Sequence, residues 1–454
     1  MDALALEKAL NYTRTERARF LEDLKELVRI PSISGTECDP AQMERAAQWL
    51  AGYLKKVGAK EARVYPTAGS PVVFGEIHAG DGLPTVMFYG HYDVQPATPL
   101  EAWHSQPFEP LRDGDFLIGR GASDMKGQFM ACINAVEAAL KAGPLPLNIK
   151  FLLEGEEEIG SPSFEAFLRE HSEMLACDFV FNPDAGMVAP DKPTIVYSLR
   201  GIMVCTFQIS GPIKDLHSGS FGGVVENPVH VLSRLIAGLH DADGRVSLPG
   251  FYDNVRPLPA EERAELARLP LDETFYLQET GAPALWGEPG YIPVERTGAR
   301  PTLEVVYFQG GAQKAAIPIQ ATAMISCRLV PDQTPDEIYE KLMDYLNKNM
   351  PPTVTWKVLL RRGVMPCMTD PKLPFAQKYA DVLEQVWGVR PVYHRVGGGI
   401  GVVNSLQTIL GIDSLLTGFE LMDSNAHGPD EKLHLPTWEL GMESVVRYLY
   451  KLAE

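Results

Sequence analysis

Two histidines and several carboxylates stand where apolar runs of this chain give way to polar sequence. "TVMFYG" leads to His91, Tyr92 and Asp93, "KFLLEG" to Glu156, Glu157 and Glu158, "DFVFN" to Pro183 and Asp184, and "SLLTGFELMDSNA" to His427. "GASDMKG" adds Asp124 where a glycine-rich turn enters a helix. Histidine and carboxylate donors without cysteine suit two borderline divalent ions such as Zn²⁺ or Mn²⁺. A lone His-x-Asp is weak evidence for a metal, but repeated deliveries of the same ligand chemistry are harder to dismiss. Buried together without a cation, these carboxylates would repel one another.

Such a convergence needs a rigid rim. The four apolar runs read as strands buried on both faces of a parallel sheet, and open α/β sheets bind ligands outside the carboxyl ends of their strands. Helices alternate with them. Phe20, Leu24, Leu27 and Val28 share one helical face before Pro31, and Met43, Ala47, Leu50, Leu54 and Val57 share another before Gly58. "DMKGQFMACINAVEAALKAG" predicts a helix closed by Gly143 and Pro144. From about Arg200 the pattern changes to strands with mixed faces, "IMVCTFQIS", "ATAMISCRLV" and "TVTWKVLL". A helix there has Thr334 as N-cap and Pro335 at its first position. The expectation is an α/β chain with an open, mostly parallel sheet over residues 1–199 and 365–454, and a smaller α+β domain inserted at 200–364.

Composition limits the partners. The 454 residues carry 41 basic and 59 acidic side chains, a net charge of −18 that would repel a phosphate backbone, so no nucleic acid is expected. No apolar run approaches the roughly 20 residues of a bilayer span, and no membrane association is expected. The N-terminal stretch lacks a basic start followed by a long apolar run, which points to a cytoplasmic location. Six scattered cysteines, without a Cys-x-x-Cys pair, read as reduced and mostly buried thiols.

"GHYDVQP", "GASDMKG", "EEIGS", "LHSGSFGG", "RLVPDQTP" and "HGPDEK" occur in the order and at the separations of a known family. Over essentially its whole length the sequence resembles the M20 metallopeptidases, and "FYDNVRPL" is similar to their cytosolic carnosine dipeptidase-like branch. The resemblance implies a zinc-exopeptidase-like topology for the larger domain and a lid and dimerisation role for the inserted one. It implies that His91 and Asp184 hold one ion, that Glu158 and His427 hold a second, and that Asp124 bridges them. Asp93 would orient the His91 ring, and Glu157 would be the general base acting on a metal-bridging water. His217 would stabilise the oxyanion in the active site of the partner subunit of a homodimer, and Arg328 would grip the carboxylate of a small peptide substrate. The implied reaction is amide hydrolysis of dipeptides or short peptides with a free carboxylate. An N-acyl-amino-acid deacylase of the same family is the alternative, and the intact Glu157 argues against a non-catalytic peptide binder.

Two positions depart from the family pattern. Gly399 stands where a hydroxyl residue commonly contacts substrate, and Ala315 replaces a frequent threonine, so a roomier, less polar substrate pocket is expected. "GGGIG" at 397–401 lacks the Lys and Ser/Thr context of a phosphate loop. "PAEERAEL" reads as a solvated helix face, and His78, His104, His171, His230, His240, His394 and His434 as packing or surface residues. Glu156 receives no role and is expected to be the replaceable glutamate of its run.

Overall fold

The computed structural model describes residues 3–454. Two compact units emerge: one runs to Tyr197 and includes Thr369–Tyr393 and Ile400–Glu454, and the other comprises Ser198–Met368 with His394–Gly399. The insertion anticipated at 200–364 thus has its limits at Ser198 and Met368. The short piece His394–Gly399, which the sequence pattern groups with the first domain, belongs to the second unit. Close approach is the reason: Arg200 N donates to Val396 O at 3.2 Å, and a Cβ on Gly298 would lie 2.1 Å from Arg395 O.

The first unit is built on a sheet whose strands run in the order Arg63–Tyr65, Val72–Ile77, Asn148–Glu154, Thr85–His91, Phe179–Asn182, Ser414–Leu416 and Thr194–Leu199. The four from Asn148–Glu154 to Ser414–Leu416 are mutually parallel, and antiparallel strands flank them on both sides. Every residue of Asn148–Glu154 is buried, as expected of a strand covered on both faces. Phe88 packs on Phe151 and Phe181 at ring separations of 5.8 and 5.3 Å. The helix Lys126–Ala142 is buried continuously from Lys126 to Ala139 and packs against Ala3–Val28 and Leu435–Leu452. Asp39 caps the Pro40–Val57 helix by accepting from Ala41 N at 2.9 Å. No helix among the described residues is long and apolar enough to cross a membrane.

The second unit carries an antiparallel sheet in the order Thr302–Gly310, Gln320–Leu329, Gly201–Ser210 and Thr355–Val364. One face is its core, where Cys205, Phe207, Leu303, Ile325 and Cys327 cluster with Leu232 and Leu235 of helix Pro228–Ala237 and with Ile338 and Leu342 of helix Pro335–Asn349. Burial alternates along Gln320–Leu329, so Ser326 and Arg328 project from the opposite face. Thr334 caps its helix through Glu337 N at 3.1 Å. The acid-rich helix Ala260–Leu266 is not merely solvated. Its Arg263 forms a bidentate pair with buried Glu295 at 2.8 and 3.0 Å, and its Glu262 accepts from the Nε of buried Arg395 at 2.7 Å.

Candidate metal centre

Parallel strands place the ligand-type residues of the first unit at one edge. His91 ends Thr85–His91, Asp184 follows Phe179–Asn182, and Glu158 lies in a single helical turn, Glu157–Ile159, after Asn148–Glu154. Asp124 arrives from the glycine-rich turn before Lys126–Ala142, and His427 from a loop in which Asn425, His427 and Asp430 all have positive φ. His91 Nε2 lies 3.2 Å from Asp124 Oδ1 and 3.6 Å from Asp184 Oδ1. His427 Nε2 lies 2.9 Å from Asp124 Oδ2 and 3.2 Å from Glu158 Oε2. Two three-residue groups result, His91 with Asp124 and Asp184, and Asp124 with Glu158 and His427. Asp124 belongs to both and offers one oxygen to each.

A web of buried groups fixes these side chains. The Asp93 carboxylate accepts from Glu157 N at 3.2 Å and Glu158 N at 3.1 Å, which holds the helical turn beneath the cluster. The His91 ring is oriented chiefly by main chain: Nδ1 lies 3.1 Å from Asp93 O and 3.4 Å from the Asp93 carboxylate. Gln95 Nε2 donates to Glu158 Oε2 at 2.9 Å. Arg120 and Glu431 form a fully buried pair at 2.8 Å. Glu431 accepts from the backbone N–H of Gly121, Ser123 and Asp124 at 2.8 to 2.9 Å, while Arg120 Nη2 donates to His427 O and Gly428 O, each at 3.1 Å. One ion pair therefore holds both the loop that carries Asp124 and the loop that carries His427. Gln95 and Glu431 lie within "GHYDVQP" and "HGPDEK", and Arg120 immediately precedes "GASDMKG", yet the motifs alone assign none of them a task. The one signal in the sequence is a charged side chain embedded among small residues in "GRGAS".

Glu156 overturns its expectation. It is 6% exposed and accepts from Ser70 N at 2.9 Å and Ser163 N at 3.0 Å. A Cβ on Gly69 would lie 1.6 Å from its Oε1, so the two backbones are clasped through this carboxylate. It is a structural tie and not the replaceable member of the run.

Electrostatics reveal what the cluster lacks. Burial opposes a charge on His91, yet the Asp184, Asp124 and Asp93 carboxylates outweigh it and raise the ring well above its ordinary value. Hydrogen bonds to Asp124 and Glu158 push His427 up to about 10. Burial would raise Asp124, but contact with His427 and His91 takes it below the usual carboxylate range. Burial pushes Glu157 up to about 9, with the Asp184, Glu158 and Asp93 charges adding to the effect and His91 opposing it. The carboxylates thus demand positive charge at this point, and both imidazoles are drawn toward supplying it. Divalent cations would satisfy the same demand better while leaving the rings neutral as ligands. The all-N/O donor set fits Zn²⁺ or Mn²⁺.

Sequence profile and structure comparisons place the chain among known proteins. The profile described as Peptidase family M20/M25/M40 matches residues 87–451. The chain belongs to that family. This M20 peptidase is 28% identical to the Cys-Gly metallodipeptidase DUG1 of Candida albicans, across 99% of its own length and 98% of the relative's. It is 28% identical to the human Beta-Ala-His dipeptidase across 99% and 93% of the two chains. Among solved structures, the M20 family metallo-carboxypeptidase Sso-CP2 of Sulfolobus solfataricus superposes with a TM-score of 0.83 at 31% identity, covering 96% of this peptidase and 99% of that chain. Human carnosine dipeptidase 1 superposes at 0.79 with 27% identity, covering 99% and 98%.

The remaining expected site residues of the M20 peptidase lie in the second unit. His217 is exposed at the end of the short strand Leu216–His217, with Ser220 Oγ 3.4 Å from its Nδ1. Ala315 is exposed, and its carbonyl accepts from Ser218 N at 3.2 Å. The Arg328 side chain stands on the outer sheet face without a hydrogen-bond or ion-pair partner among the described residues. Gly399 corrects the picture of a roomier pocket: a Cβ there would lie 2.8 Å from Arg200 O, so backbone occupies the space a side chain would need. Of the other histidines, His104 has an acidic partner, its Nδ1 standing 2.5 Å from Asp430 Oδ2, but the ring is exposed beside the His427 loop.

Proposed function

We propose that this M20 peptidase is a metallo-dipeptidase, hydrolysing the amide bond of dipeptides or short peptides that carry a free carboxylate. The observation that carries the reading is Asp124, whose two oxygens face two different histidine-containing groups. The dipeptidase names of relatives matched along nearly their whole length support it. His91, Asp124 and Asp184 would hold one ion, and Asp124, Glu158 and His427 the other. Bound there, two divalent ions supply Lewis acidity toward the scissile carbonyl. Glu157, beside both groups but a member of neither, takes a proton from the attacking water on its carboxylate and returns it to the leaving amine. Burial raises its proton affinity, which suits that exchange. Arg328 offers a planar fork to the substrate carboxylate. His217 donates to the developing oxyanion in the partner subunit's site.

The homodimer that this last role requires is favoured by the edge strand Thr302–Gly310, where Val306, Tyr307 and Phe308 are exposed; an unpaired apolar edge invites a second chain. The deciding experiment combines metal analysis with a side-by-side assay of free dipeptides and N-acetylated amino acids. Two equivalents of metal per chain and turnover of free dipeptides are expected. Turnover confined to N-acetylated amino acids would make the enzyme a deacylase, and metal binding without turnover of either would make it a peptide-binding protein.

A further inference from the structure

In the second unit, a cavity of about 460 Å³ opens on the outer face of the antiparallel sheet. Four arginines line it, Arg200, Arg296, Arg300 and Arg328, against two glutamates, Glu288 and Glu304. Within a chain of net charge −18 this local excess of positive charge is a departure. Strand register places Arg328 between Ile202 and Thr302 on the face opposite the Cys327 core.

Only one of the four arginines is neutralised. Arg300 forms a buried bidentate pair with Glu288 at 2.7 and 2.8 Å, and Arg245 approaches the same carboxylate at 3.4 Å. Arg200, 9% exposed, donates Nε to Gly397 O at 3.3 Å and Nη1 to Arg296 O and Arg300 O at 3.4 and 3.3 Å. Those acceptors are all uncharged carbonyls. Arg296 donates Nη1 to Trp286 O at 3.4 Å, and its buried Nε has no acceptor. Among the described residues no carboxylate pairs with Arg200, Arg296 or Arg328. Burial, together with the Arg328 charge, holds the Arg200 guanidinium down at about 10, with Tyr276 and Glu304 opposing the shift.

One α-carboxylate fills one guanidinium fork. Three guanidiniums without a paired carboxylate, against the one remaining acid Glu304, leave more positive charge around the cavity than the α-carboxylate of a neutral residue can use. The cavity volume lies within the range of small-ligand sites and suits one amino-acid residue.

We propose that this arginine-lined cavity recognises a second carboxylate on the substrate's C-terminal residue, so that peptides ending in Glu or Asp are preferred, a preference that rests on the dipeptidase reading above. Arg328 takes the α-carboxylate, and Arg200 with Arg296 faces the side-chain carboxylate. Arg200 is also a backbone tie, so Arg296 is the residue to change.

The test compares kcat/KM for Ala-Glu and Ala-Gln, using metal-replete wild type and Arg296→Gln. Wild type should favour Ala-Glu by at least about tenfold, mainly through KM, and the variant should bring the ratio within about threefold of unity. Calorimetric titration of the same two proteins with L-glutamate and L-glutamine supplies a readout independent of turnover. Glutamate should bind wild type more tightly, and the difference should shrink in Arg296→Gln. Equal handling of the acidic and amide ligands by wild type in the titration, or an unchanged preference in the variant, overturns the proposal. If neither dipeptide is cleaved while glutamate keeps its Arg296-dependent advantage, carboxylate recognition stands and the dipeptidase reading falls.

Discussion

The first unit gathers negative charge around Asp124 and the second gathers positive charge around Arg200, but the two clusters are held in different ways. In the first, buried partners stand behind the ligand-type side chains: Asp93 beneath Glu157 and Glu158, Gln95 on Glu158, and Arg120 with Glu431 behind both Asp124 and His427. In the second unit Arg328 has no partner among the described residues, and Arg296 has a single carbonyl. A metal tolerates little error in donor position, so its ligands require outer support. A guanidinium on a long side chain can adjust to its carboxylate, and freedom there costs less.

The comparison can be broken at several points. The largest expected effect is on rate. Glu157→Gln removes the proton carrier without removing a ligand, so kcat should fall by about 10²- to 10⁴-fold while metal content per chain stays unchanged. Retention of wild-type turnover would sink the base assignment. Next comes the support behind the cluster. Glu431→Gln strands Arg120 as an uncompensated buried charge and should cost about 3–5 kcal/mol of stability, read as a lowered denaturation midpoint, together with a roughly 10- to 100-fold weaker metal affinity. A variant that loses neither would show that the pair does not position the loops.

Glu156→Ala should be smaller, about 1–3 kcal/mol, because it leaves Ser70 N and Ser163 N without their acceptor while metal stoichiometry is kept. An effect of comparable size, confined to acid pH, lies in the second unit. Burial takes His394 down to about 4 from its usual 6.5, so the unfolded chain binds a proton that the folded chain refuses between those values. Stability should therefore fall as pH drops from about 6.5 toward 4. An His394→Gln variant should lose that part of the slope, of the order of 2 kcal/mol after allowing for partial exposure of the ring. Identical slopes for the two proteins would reject the assignment.

What the sequence makes legible follows from periodicity and strand ends. The parallel strands are near-continuous apolar runs, and the residues just after them reach one edge, which is why His91, Asp184 and Glu158 stand out from the amino-acid order itself. Asp124 and His427 lie on a glycine-rich turn and a positive-φ loop, which periodicity does not describe; the residue order singles out both as candidates, and the resemblance alone assigns which group each joins. Glu156 is misjudged from sequence because adjacent residues in a run of three glutamates look alike, while only the fold shows that Gly69 lies against its carboxylate. Gly399 misleads for the converse reason: a missing side chain reads as space, whereas the Arg200 carbonyl is already there. The arginine cavity is invisible in the sequence because Arg200, Arg296 and Arg328 lie far apart in the chain and come together only through strand register and the helix Pro293–Gly298 that carries Arg296.

The Arg120–Glu431 pair has a consequence for the order in which the protein is made. Its members are 311 positions apart, with the whole sequence of the second unit between them. A chain growing on the ribosome exposes His91, Asp124, Glu158 and Asp184 long before either His427 or the carboxylate that braces the Asp124 turn has been synthesised. The brace of the Asp124 turn and the His427 member of the cluster can therefore form only after the whole stretch 198–399 has been made, and a chain stopped short of Ala426 would lack both.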